Sequence, residues 1–133
     1  MAGNLTDYAE AKLLDHILGT TAFTMPTTPI KVALFTTTPV DAGTGGVEVT
    51  GGSYARTTVT FAAATVGAGS TSNNATVTFP TATADWGVIT GIALYDSAGT
   101  PNMLWYGALT ASKTVSNGDT FTIASGALTL SIN

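Results

Sequence analysis

One histidine and eight carboxylates make up the side-chain acid–base inventory of this 133-residue chain. A hydrolytic triad would need His16 as its base, with a serine and an acid in reach. Asp15 is the nearest acid in sequence, but successive residues of a helix point roughly 100° apart. No G-x-S-x-G elbow is present. His16 instead suits the last turn of a helix, where a cation meets the negative end of the dipole.

A pair of carboxylates can run glycoside hydrolysis, which makes Asp85, Asp96 and Asp119 worth weighing. All three fall in or beside turn sequences, where aspartate is favoured because its side chain bonds the local backbone. Asp96 and Gly99 lack the alternating oxygen ligands and final glutamate of a calcium loop. Neither Gly43 to Gly46 nor Gly67 to Gly69 leads into the Lys-Ser/Thr of a phosphate loop. Without cysteine there are no disulfides, thiolate metal sites or thiol nucleophiles. A histidine-based metal site would require several chains to share His16. Neither cofactor nor metal nor catalytic residue is therefore expected, and the chain reads as a non-enzyme.

The aromatic residues offer different chemistry, because tryptophan and tyrosine faces stack on sugars and pack at interfaces. Trp86 follows Asp85, just ahead of the most apolar segment. Trp105 and Tyr106 are consecutive, so on a strand they face opposite ways. One of them must be core, and core or interface packing is expected ahead of a glycan platform.

These groups sit on an unusual background. Only 9% of residues are charged, against about 25% in an average soluble chain. Mean hydropathy is +0.33, and 27 residues are threonine. The exterior must rest on hydroxyls and amides, which suits surfaces that meet other protein without burying charge. Four basic residues at net charge −4 cannot build a phosphate-neutralising patch, so nucleic acid is not an expected partner. No apolar run approaches a membrane span. The opening MAGNLTDYAE has neither a basic nor an apolar stretch, so no secretory leader is expected. The length fits one domain.

Positioning falls to one helix and a series of strands. Leu5, Tyr8, Ala9, Leu13, Leu14, Ile17 and Leu18 recur at helical spacing, predicting a helix within residues 4–19, capped by Asn4 and closed by Gly19. Residues 20–29 form a proline-rich connector, and residues 30–133 read as β-structure rich in β-branched residues. Ile30 to Thr37 is apolar on both alternating faces, as for a strand covered on two sides. Tyr54 to Phe61 predicts a long strand with Ala55, Thr57, Val59 and Phe61 inward, and Val66 to Asn74 a flexible loop. Ala75, Val77 and Phe79 share a face. Val88 to Tyr95 should be central. Met103 to Leu109 and Lys113 to Ser116 read as separate strands, the second joined to Thr120–Ala124 by an Asn117-Gly118 hairpin turn. Leu128, Leu130 and Ile132 close the chain. The expected fold is mainly β: an antiparallel β-sandwich of about eight strands, jelly-roll-like, with one N-terminal α-helix.

The segments YAEAKLLDHILG (Tyr8 to Gly19), KVALFTTTPVDAGTG (Lys31 to Gly45) and GGSYARTTVTF (Gly51 to Phe61) carry a resemblance. So do FPTATADWGVITGIALYD (Phe79 to Asp96) and YGALTASKTVSNGDTFTIASGALTLSI (Tyr106 to Ile132). In this order they resemble a family of small tailed-bacteriophage virion proteins, described as tail-fibre-like or as head decoration (cement) proteins. The resemblance implies a β-sandwich close to a jelly roll and a structural role in the particle.

Between those two positions, a fibre usually needs a long shaft, and the chain has no heptads or β-helix repeat. The expectation is a head decoration protein on the capsid exterior, synthesised in the host cytoplasm. Its partners would be the major capsid protein of a tailed phage and itself, as a homodimer or homotrimer. A tail-fibre or receptor-binding, glycan-binding module is the alternative. Candidate interface residues are Tyr8, Leu14, His16, Ile17, Trp86 and Trp105. The helix either docks on the particle or simply covers its own sandwich.

Overall fold

A computed structural model describes residues 3–132. Ten strands and one helix follow in order: β1 (Gly3–Leu5), α1 (Asp7–Ile17), β2 (Lys31–Thr37), β3 (Val47–Glu48), β4 (Thr57–Thr58) and β5 (Ser70–Ser72). Then come β6 (Val77–Thr78), β7 (Gly87–Tyr95), β8 (Met103–Val115), β9 (Thr122–Ile123) and β10 (Thr129–Ser131).

The fold is mainly β and antiparallel, in a sandwich-like arrangement. One six-stranded sheet runs β1-β8-β7-β2-β3, with β4 also paired to β2; two ribbons, β5–β10 and β6–β9, lie apart from it. β7 is central, as its apolar sequence predicts, bonded to β2 on one side and β8 on the other. The outer edge of β2 is shared, β4 taking Lys31 and Val32 and β3 taking Phe35 and Thr37.

Alternation then divides the core in two. Val32, Leu34, Ile92, Leu94 and Trp105 face the ribbons and pack with Val77, Phe79, Phe121 and Leu128. On the opposite face Ala33, Phe35, Ala93 and Met103 form a smaller cluster. Val32 to Phe35 are all buried, as expected of a strand covered on both sides. The Pro39–Gly46 loop helps to cover that second face: a Cβ on Gly46 would come within 2.9 Å of the Phe35 ring and of Pro39. Gly91 is likewise required, since a side chain there would overlap Thr38 where β7 and β8 shift register.

Several local expectations are corrected. The helix starts later than predicted, because Gly3–Leu5 pairs with Gly107–Trp105 on β8. Thr6 rather than Asn4 is its cap, accepting from the Ala9 N–H and donating to the Met103 carbonyl at 2.6 Å. The predicted long strand Tyr54 to Phe61 shrinks to two residues, with Ala55 exposed and Tyr54 half-buried. The aromatic ring and the phenol bond won that contest: Tyr54 packs edge-on to Trp86 at 5.4 Å and accepts from the Leu34 N–H.

The Val66–Asn74 loop contains β5, which pairs with β10. β8 runs unbroken through both segments expected to be separate strands. Asn117-Gly118 does form a turn, yet not a hairpin, because β9 crosses to β6 instead of folding back on β8. Val77 and Phe79 are buried as predicted, while Ala75 is exposed.

Candidate functional site

The polar groups that could act chemically are scattered and engaged. Asp119 accepts from the Ser116 N–H and Asp85 from the Asn117 N–H. Asp96 is buried and accepts from the N–H groups of Ala98 and Asn102 and from the Asn102 amide. Burial alone would raise its pKa, but those three hydrogen bonds outweigh it and hold the carboxyl below the usual range. All three are turn aspartates, as their sequence context suggests. His16 is exposed near the end of α1, where its Nδ1 accepts from the Phe23 N–H at 3.1 Å. Among the described residues no group of three or more His, Cys, Asp or Glu side chains could hold a metal ion. No helix is long and apolar enough to cross a membrane.

The densest polar cluster ties β3 to the β4 segment. Arg56 donates twice to Glu48, at 2.8 and 2.7 Å, and lies 3.6 Å from the centre of the Tyr95 ring. Tyr54 donates to the same carboxylate. The bidentate bond to Glu48 raises the Arg56 pKa further, while burial pushes both phenols above their ordinary value. Every acceptor and donor here points inward at another member. The cluster clamps the sheet edge and leaves no group free to meet a substrate.

The predicted interface residues divide sharply. Trp86 and Trp105 are only 5% and 4% exposed, which removes both as interface or glycan-stacking faces. Trp86 donates to the Gly52 carbonyl at 3.0 Å. Trp105 stands opposite Leu94 on the ribbon-covered face, while half-buried Tyr106 packs on the other. The indole N–H of Trp105 has no acceptor among the described residues.

Tyr8, Leu14, His16 and Ile17 are exposed, and Leu18 with them. Within α1 only Ala9 is buried. The helix meets the body through β1 and β8, so it does not lie over the sandwich as a lid. Its last two turns and the connector form an apolar arm, with Leu14 57%, Ile17 67% and Leu18 72% exposed.

Beside the arm's base runs a groove of about 360 Å³. Leu5 of β1, Pro26 and Ile30 of the connector, Phe61, Leu104 and Leu130 of β10 line it, together with Trp105. No charged residue contributes to it. Sequence reading missed this feature, because its walls come from five separated segments. The one available signal was an apolar Met25, Pro26 and Ile30 in a connector assigned to no element.

The order of elements and this non-catalytic surface fit a structural protein, and comparison with protein families agrees. Residues 4–131 match the family described as podophage GP4 fiber I protein gp80. The chain belongs to that family. It is a structural protein of a phage virion, in keeping with the resemblance drawn from its sequence. The match spans both the arm and the sandwich, so the two are parts of one family pattern. No curated protein matches the chain.

Proposed function

We propose that the protein is a non-enzymatic module of the phage fibre apparatus, held in the particle by weakly charged, hydroxyl-rich and apolar surfaces. The observation that carries this reading is the family match over residues 4–131, whose description names a fibre protein. The physical chemistry is compatible with it. A surface with few ions buries against neighbours without a large desolvation cost, and the exposed apolar arm supplies a contact of the kind that monomers rarely leave open. At 133 residues, without a shaft-forming repeat, the chain serves as an adaptor or terminal module.

Head decoration, with the major capsid protein as partner, is the competing reading. The same sparse charge and compact body favour it. Copy number separates the two. Quantitative mass spectrometry of purified virions should find this chain in a handful to a few tens of copies, with antibody labelling at the tail. Hundreds of copies per particle, and label spread over the head, would refute the fibre reading and install the decoration reading.

A further inference from the structure

Two apolar surfaces of this chain lack a cover, and their sizes correspond. Leu14 and Leu18 lie one helical turn apart and Ile17 three residues from Leu14, so all three project from the outward side of the arm, each more than half exposed. The groove at the sandwich edge offers about 360 Å³ among Leu5, Ile30, Phe61 and Leu130. A cavity of about 150 Å³ accepts one benzene ring, so this groove has room for two or three aliphatic side chains. In the chain's own fold the stripe stays outside the groove, since its leucines and isoleucine remain exposed.

We propose that the arm of one copy seats Leu14, Ile17 and Leu18 in this groove of a second copy. Neither surface carries a charge at its centre, so nothing in either selects a charged foreign partner, whereas each fits the other. The area agrees as well. Covering one aliphatic side chain removes roughly 60–120 Å² from water, so three on the arm and their groove walls account for about 600 Å² per junction. A reciprocal pair has two such junctions, about 1,200 Å² in all, the lower end of stable interfaces. A cyclic trimer has three, by the same contact closed head to tail. The proposal deepens the fibre-module reading by naming its assembly contact. Its test uses purified chain alone, so it can fail while particle location still supports a fibre, or succeed where location does not.

The chain has no cysteine, which gives a clean background for cross-linking. Ile17→Cys and Leu130→Cys, purified separately and mixed under mild oxidation, should form a disulfide-linked pair, while either alone stays largely uncross-linked. Phe61→Cys replaces Leu130→Cys if circular dichroism finds the latter unfolded. Light scattering on the unmodified chain should give two or three times 13.4 kDa, and Leu14→Asp with Ile17→Asp should return it to one. A monomeric unmodified chain at high concentration overturns the proposal. So does an Ile17→Cys chain that links to itself as readily as to the groove variant, which would mean arm against arm. A double variant that cross-links only within one chain would assign the groove to the chain's own arm and would overturn it too.

Discussion

The sandwich and the arm treat their awkward groups in opposite ways. In the sandwich, polar side chains are taken inside and satisfied: Asn73, 1% exposed, donates to the carbonyls of Ala75 and Ala124 and accepts from the Leu128 N–H. In the arm, apolar side chains are left outside with nothing covering them. A buried amide with its full set of partners specifies one arrangement of chain. An exposed leucine stripe specifies nothing until a second surface meets it. The body is therefore complete by itself, and the arm is built for a contact.

That contrast can be broken first at Asn73. Asn73→Ala leaves a buried N–H and two carbonyls without partners, and should destabilise the fold by about 2–4 kcal/mol, read as a lower midpoint in urea unfolding. Next comes the clamp on the sheet edge. Arg56→Lys keeps the charge but loses the two-pronged bond and much of the stacking on Tyr95, and with both partners part-exposed the expected cost is about 1 kcal/mol.

Asp96 sharpens the comparison through pH. Its folded pKa is lowered, so its contribution is fully present above the ordinary carboxylate pKa and is lost as pH falls through the folded value. Thermal melts of the native chain should lose stability across that acidic window more steeply than those of Asp96→Asn. A parallel decline in the two would show that another carboxylate governs it. The smallest effect belongs to the arm: Leu14→Ser with Leu18→Ser should change the stability of the isolated monomer by no more than about 0.5 kcal/mol, measured by dilute chemical unfolding. A much larger loss would mean that the arm is part of the core and would erase the distinction.

Legibility in the sequence followed the same division. The two-sided burial of Val32 to Phe35 and the central place of β7 could be read directly, because period-two alternation and unbroken apolarity are local properties. Gly19, with φ +72°, closes the helix region as its sequence position suggests. Helical spacing found α1 but misjudged its surroundings: Leu14, Ile17 and Leu18 have the spacing of a core stripe, yet no part of the body reaches them. Periodicity identifies a face without saying what lies against it. Trp86 and Trp105 erred in the other direction, since an aromatic residue near a strand end suits a core and an interface equally. Tyr54 failed as an outward residue because its hydroxyl had partners, Leu34 and Glu48, supplied from elsewhere in the chain.

Composition and local pattern by themselves determined a weakly charged, strand-rich protein with one helix at its start, and the resemblance of its segments already pointed to a phage particle. Tertiary structure alone decided that β9 pairs with β6 rather than β8, that Trp105 is core, and that five distant segments enclose an uncharged groove beside an uncovered arm. The physical reason is range. Side-chain alternation and turn chemistry act over a few residues, whereas strand partnering and groove walls depend on segments far apart in the chain, which only the assembled fold brings together.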